Sequence, residues 1–257
     1  NSKFLSNIEP SKIIPLTAEY FLPKNKIKNS KKEWDICIVS RPSKIKRIEE
    51  TLHIIKEIFK SKKDLKVIFI VPDPRIQSQG SRTYKSAIDE KFFKLPKIIF
   101  SCSELKNITF LSSSQESFGN FPIPHGFIQE IISRSKFLFM NSYLEGGPRV
   151  LAEAFSLNVP CIVSNKLTSG LRQFFNEKNI IEIDDAPKLA ANQILRGLDN
   201  YKFFDFKYLN MENTFDEEVN QRRLKIILEE KFLLFKQKKN STWYLNDLLF
   251  RLPCHGH

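Results

Sequence analysis

Between residues 34 and 198, short apolar runs alternate with stretches of helical period, and this rhythm constrains the fold more than any other feature of the chain. The runs DICIV (35–39), KVIFIV (66–71), KIIF (97–100), ITFL (108–111), FLFM (137–140), CIVS (161–164) and IIEI (180–183) are apolar with little polar alternation. Strands of a parallel sheet covered on both faces read this way. Segments 46–61, 126–135, 148–157, 169–175 and 187–198 lie between or after them and carry apolar residues at helical spacing. Strand and helix in turn predict a doubly wound α/β domain with a parallel sheet. In such a sheet ligands bind beyond the carboxyl ends of the strands, so the segments following strands are the ones to inspect.

A chain of 257 residues with 41% hydrophobic composition can bury a sizeable core. No apolar run approaches the roughly 20 residues needed to span a bilayer. The opening NSKFLSNIEP lacks the features of a secretory signal, which sets a reducing cytosol as the expected compartment. Its first residue is not Met, which suggests a fragment or a processed chain. Cys37, Cys102, Cys161 and Cys254 show no metal or redox spacing and read as reduced packing residues. Lys and Arg number 41 against 29 Asp and Glu. That excess invites an anionic partner such as a phosphorylated ligand, anionic lipid or nucleic acid. Much of it falls in 24–32 and 231–239, outside the regular part of the chain, where a solvated basic surface accounts for it.

Three segments follow strands with polar groups in hand. In SRPSKIK (40–46), Arg41 and Lys46 flank a Pro-Ser turn before a helix, an arrangement suited to a diphosphate: a guanidinium fork, a point charge and free amides at a helix start. In NSYLEGGP (141–148), Gly146 and Gly147 let backbone approach a bulky ligand, and Pro148 suits the first helical position. In SNKLTSG (164–170), Thr168 or Ser169 serves as a helix N-cap. Two acidic residues stand out against the basic background. Glu145 falls in the loop before the helix 148–157, and Glu153 inside it among Val150, Leu151, Ala152, Ala154 and Phe155. Arg149 and Glu153 are four apart, which allows an exposed intrahelical ion pair. The alternative is that Glu153 points along the ligand edge, where a carboxylate can accept both hydroxyls of a ribose. His125, in PIPHGF, reads as a loop residue.

The segment NSYLEGGPRVLAEAFSLNVPCIVSN (141–165) resembles the donor-binding signature of retaining glycosyltransferases of the GT-B fold, family 4 or group 1 type: a Glu, seven residues, a second Glu, a small-residue helix, a Gly or Asn stop, a Pro and an apolar strand. Upstream, IVSRPSKIKRIEETL (38–52) is similar to the family's strand, Gly-Arg, five-residue step, Lys-Gly and helix, with Ser40 and Arg47 in place of the two glycines. The resemblance covers residues 34–198 and implies the Rossmann-like C-terminal half of a GT-B fold. It implies that Glu145 contacts the transferred sugar and Glu153 the nucleotide ribose, with Arg41 and Lys46 neutralising the diphosphate leaving group. Gly146, Gly147, Pro148, Ser142 and Thr168 would border the donor. The expected reaction is retaining transfer, on the front face, of a hexosyl group from a UDP-, GDP- or ADP-sugar to a glycan or lipid-linked acceptor. No metal is expected, since protein cations stabilise the departing diphosphate.

In that family the acceptor-binding half precedes the donor half. Residues 1–33 are expected to be interdomain linker or a remnant of the acceptor half, 34–198 the donor-binding domain, and 199–257 C-terminal helices and tail. A separate acceptor-binding subunit or domain becomes an expected partner, with an anionic membrane at the inner face as a second. Two other activities stay in view: an epimerase-like GT-B enzyme, for which no acid/base set is found, and a basic nucleic-acid module. The latter needs aromatic residues interleaved with the basic ones. Only the carboxyl-terminal cluster has them, so no nucleic acid is expected.

Overall fold

The computed structural model describes residue 22 and residues 31–40, 44–71, 94–111, 123–204 and 214–232, the last six as backbone only. The chain divides into one compact unit, Thr17–Glu217, and a second built from Asn1–Leu16 and Glu218–His257.

Within the compact unit, six parallel strands form one sheet. They are β1 (Trp34–Val39), β2 (Val67–Ile70), β3 (Ile108–Leu111), β4 (Ser135–Met140), β6 (Cys161–Ser164) and β8 (Ile180–Ile183), in the order β3-β2-β1-β4-β6-β8. Two two-residue strands, β5 (Leu144–Glu145) and β7 (Thr168–Ser169), pair with each other alone. The helices are α1 (Ile48–Ser61), α2 (Leu95–Ile99), α3 (Cys102–Leu105), α4 (His125–Ser133), α5 (Arg149–Ser156) and α6 (Pro187–Asp199). Helix α7 (Glu217–Phe232) leads into the second unit.

Alternate residues of each strand go to opposite faces. On one face Ile36, Ile38, Val67, Phe69, Phe137, Phe139 and Ile162 form a continuous core with helices α1 and α6. Helix α1 supplies Ile48, Leu52, Ile55, Ile58 and Phe59 at the i, i+3, i+4 spacing of an amphipathic helix. Helix α6 comes close to β8 at Gly197, where an added Cβ would lie 2.1 Å from Ile181 Cδ1. Helices α4 and α5 pack on β4 and on each other, with Ile131, Ile132, Leu151 and Phe155 buried. Fully burying one such side chain contributes about 1.5–3 kcal/mol.

Several expectations change in the structure. KIIF is not a strand. Residues Leu95–Ile99 form α2, with Pro96 in its first turn and Ile98 76% exposed. Segment 169–175 forms a 3-10 turn, Gly170–Phe174, capped by the Ser169 hydroxyl, which accepts from the Leu171 N–H at 3.1 Å. Thr168 belongs instead to β7. Helix α5 begins at Arg149, so Pro148 is its N-cap rather than its first helical residue. The helix ends where Asn158 takes a left-handed conformation (φ 55) and the Val159 N–H returns to the Ala154 carbonyl at 2.8 Å. Cys37 and Cys161 are buried, and burial pushes the Cys37 thiol up to about 12, while Cys102 is exposed rather than packed. Leu22 is 1% exposed and bridges Asp216 in parallel.

Candidate functional site

The order of the sheet changes direction between β1 and β4: the chain builds outward from β1 to β3, then returns to lay β4 on the other side of β1. The loops leaving the carboxyl ends of these two strands diverge over opposite faces and leave a crevice, the place where open α/β sheets bind ligands. A cavity of about 430 Å3 occupies it. Its apolar wall comes from Val39, Ile70, Met140, Ile123, Ile128 and Val150, and its polar groups from Ser40, Lys46, Ser142, Glu145 and Arg149, beside the Gly147-Pro148 turn. Of the residues singled out by sequence, Lys46, Ser142, Glu145, Gly147 and Pro148 therefore meet at one cavity. Arg41 lies outside the described residues.

Lys46 ends a 3-10 turn after β1, and its Nζ donates to Glu145 Oε1 across 99 residues of sequence. The ammonium is 27% exposed and the carboxylate 13%, so the pair sits at the cavity wall rather than on open surface. Glu145 is fixed in β5 by pairing with Ser169, and Leu144 by pairing with Thr168. Thr168 itself is exposed and donates its N–H to the Tyr143 carbonyl at 2.7 Å. Its role is thus to hold the strand that carries Glu145, and it does not line the cavity. Gly146 follows in the turn. An added Cβ there meets no atom within 4 Å among the described residues, and its φ is not left-handed. Nothing in the local backbone requires glycine at that position, which leaves open space beside Glu145 as what a side chain would fill.

Glu153 is 2% exposed, within a helix whose residues Leu151 to Phe155 are all buried. Arg149 Nε donates to its Oε1 at 3.1 Å, so the i, i+4 pair does form, but around a buried carboxylate rather than an exposed one. The second partner corrects the reading of His125. That residue is the first of α4, not part of a loop, and its Nε2 lies 2.5 Å from the same Glu153 oxygen.

Arg47 is the group that sequence reasoning passed over. It takes a left-handed backbone conformation (φ 51, ψ 42) just before α1, at the position where the resemblance leads one to expect glycine. That conformation costs a residue with a Cβ about 1–2 kcal/mol. The side chain offsets it: the guanidinium donates to Asp185 at 2.9 Å and Asn141 at 3.3 Å and lies 3.9 Å over the Tyr143 ring. Asn141 keeps its Nδ2 without a partner. Asp185 also takes hydrogen bonds from Lys166 and, at 2.9 Å, from the Tyr143 hydroxyl. Burial opposes its ionisation, but Lys166, Tyr143 and Arg47 outweigh that and hold its carboxyl below the ordinary range. This network ties together the loops after β1, β4 and β8, and so fixes Lys46 relative to Glu145.

Among the described residues no group of three His, Cys, Asp or Glu side chains is placed to hold a metal ion, and no helix is long and apolar enough to cross a membrane.

No curated protein matches the sequence. Solved structures do match the fold. The pneumococcal O-GlcNAc transferase GtfA, in complex with UDP and GlcNAc, superposes with a TM-score of 0.58 at 16% identity, covering 82% of this chain and 38% of its own. TarM gives 0.56 at 13% identity, covering 80% and 38%, and the apo structure of OtsA 0.55 at 10%, covering 80% and 44%. The chain spans 38–44% of their lengths. Residues 22–211 match the family described as "Glycosyl transferases group 1", a span that takes in the sheet, the cavity and both glutamates. The chain belongs to the group 1 glycosyltransferase family and has a Rossmann-like GT-B domain.

Proposed function

We propose that residues 34–198 are the donor-binding domain of a retaining glycosyltransferase, and that the cavity between β1 and β4 takes a nucleoside diphosphate sugar without a metal ion. The observation that carries this reading is the Lys46–Glu145 pair at the wall of a cavity at the sheet's switch point. In their mutual ion pair each group neutralises the other. When a diphosphate arrives, the Lys46 ammonium turns to phosphate oxygens, and Glu145 is released to accept hydroxyls of the sugar beside the open space at Gly146. As the bond to the anomeric carbon breaks, negative charge grows on the leaving phosphate, and fixed cations there lower the barrier most where water is excluded. Arg41 is the second cation in this reading. Glu153, buried and ionically paired, is the acceptor of the ribose hydroxyls.

The acceptor is a glycan or lipid-linked hydroxyl, held by a wall that a separate domain or subunit supplies. Two facts support that part: the chain spans 37–44% of its structural neighbours, and one neighbour is a GtfA/B complex. Holding the acceptor a few ångströms from the anomeric carbon carries a large share of the rate. This chain alone is therefore expected to bind donor and at most to hydrolyse it slowly.

Calorimetry with UDP, GDP, ADP and their sugars, in chelator, tests the donor site. Saturable binding of at least one is expected. Binding seen only with a divalent cation removes the metal-free account, and binding of single-stranded oligonucleotide in place of every nucleotide removes the donor site itself.

A further inference from the structure

His125 opens α4, 28 residues before Glu153, and no local pattern links the two. The packing of α4 against α5 brings them together. A carboxylate that is 2% exposed is gripped at one oxygen, Oε1, by two donors that remain 40% and 49% exposed themselves, His125 and Arg149. Among the described residues no hydrogen bond falls on Oε2. The two donors differ in what they can do. Arg149 reaches from the same helix, one turn back, and moves with Glu153. His125 reaches from a different helix, so its contact fixes the plane of the carboxylate relative to the rest of the domain.

We infer that His125 is a positioning residue for the nucleotide ribose. Its Nε2–H occupies Oε1 and orients the carboxylate, which leaves the lone pairs of Oε2 for a 2′- or 3′-hydroxyl. A carboxylate on a flexible side chain loses rotamer freedom when it binds a ligand; one already held loses less, and that difference goes into affinity. The domain's preference for a ribonucleotide over one without the diol then depends on His125. The inference rests on the nucleotide reading of the cavity given above.

The test is calorimetry on the full chain with whichever of UDP, GDP and ADP binds best, beside its 2′,3′-dideoxy counterpart. The proteins are the parent, His125→Leu and His125→Gln, each checked for folding by circular dichroism, with His125→Met replacing the leucine variant if that one does not fold. The parent is expected to prefer the ribonucleotide about tenfold, the size of one charge-assisted hydrogen bond. In His125→Leu that preference falls below about threefold, with affinity for the dideoxy compound unchanged. His125→Gln, whose amide can donate to Oε1, restores most of it. A leucine variant that keeps the parent's preference overturns the inference, as does one that loses affinity for both nucleotides equally. A parent that binds neither nucleotide shows its failure separately, in the unsubstituted protein, and takes the donor-site reading and this inference down together.

Discussion

The two ends of the parallel sheet use the same kinds of residue to different effect. At the amino end, Asp35 is 7% exposed and both its oxygens are occupied: Oδ1 by Lys136 Nζ at 2.7 Å, Oδ2 by the Lys66 N–H at 3.0 Å. Nearby, Arg134 bonds Glu33 and Glu130 at 2.9 and 2.7 Å on the surface. At the carboxyl end, Glu145 and Glu153 are also withdrawn from solvent, but their hydrogen bonds fall on Oε1 alone among the described residues. Burial by itself therefore does not mark a functional carboxylate here, since Asp35 is nearly as buried as Glu153. Incomplete saturation does not mark one either, since Glu104, 9% exposed in α3, takes its hydrogen bonds from Lys56 and Ser101 on Oε2 alone. Position separates them: Glu145 lines the cavity, and Glu153 is paired with Arg149, which lines it too.

That contrast can be broken most easily at Lys46. Replacing it with alanine removes the only described ammonium on the cavity wall. A charged hydrogen bond is worth about 1.5–3 kcal/mol, so nucleoside diphosphate affinity should fall about 10- to 100-fold in a calorimetric titration. An unchanged affinity would place the diphosphate elsewhere. Glu153→Gln should cost the folded protein about tenfold in affinity, with the loss absent for a nucleotide lacking the ribose diol. Parent-like binding would leave the Arg149 and His125 pairs as purely structural.

Arg47→Gly separates strain from anchoring. Glycine relieves about 1–2 kcal/mol of left-handed strain but strips Asp185 and the Tyr143 ring of the guanidinium, so thermal melting should show a net loss of about 1 kcal/mol. A rise in melting temperature would show that the network contributes less than the strain. The smallest effect belongs to the amino end. Arg134→Ala breaks two ion pairs whose members are 37–43% exposed, so water screens them and the melting temperature should hardly move, with nucleotide affinity untouched. A loss of affinity there would erase the distinction between the two ends.

How much of this could be read from the chain follows from the range over which each feature is decided. Unbroken apolar runs at 67–70, 137–140 and 161–163 declare doubly covered strands because both faces of each residue's neighbourhood are set locally. The run KIIF carried no such information: four apolar residues fit helix and strand alike, and Pro96, which favours a helix's first turn, was the signal that decides it. Strands β5 and β7, two residues each, are too short to leave a period. The meeting of Lys46 with Glu145 was legible only through the family resemblance. The meetings of His125 with Glu153 and of Arg47 with Asp185 span 28 and 138 residues, and were not legible at all. They depend on how α4 packs against α5 and on where β8 ends, which no window of sequence encodes. At Arg47 the sequence did give a departure from the expected glycine, and the structure supplies its physical resolution.

The most direct measurement of the central claim is a map of amide chemical-shift changes as UDP, GDP or ADP is titrated into the isotopically labelled chain in chelator. If the carboxyl ends of β1 and β4 form a metal-free nucleotide site, saturable shifts will concentrate at Lys46, Ser142, Glu145, Gly146, Gly147 and Glu153. Asp35, Lys66 and Arg134, at the other end of the same sheet, will stay still. Shifts centred on the amino end, or none at the carboxyl end until a divalent cation is added, would contradict it.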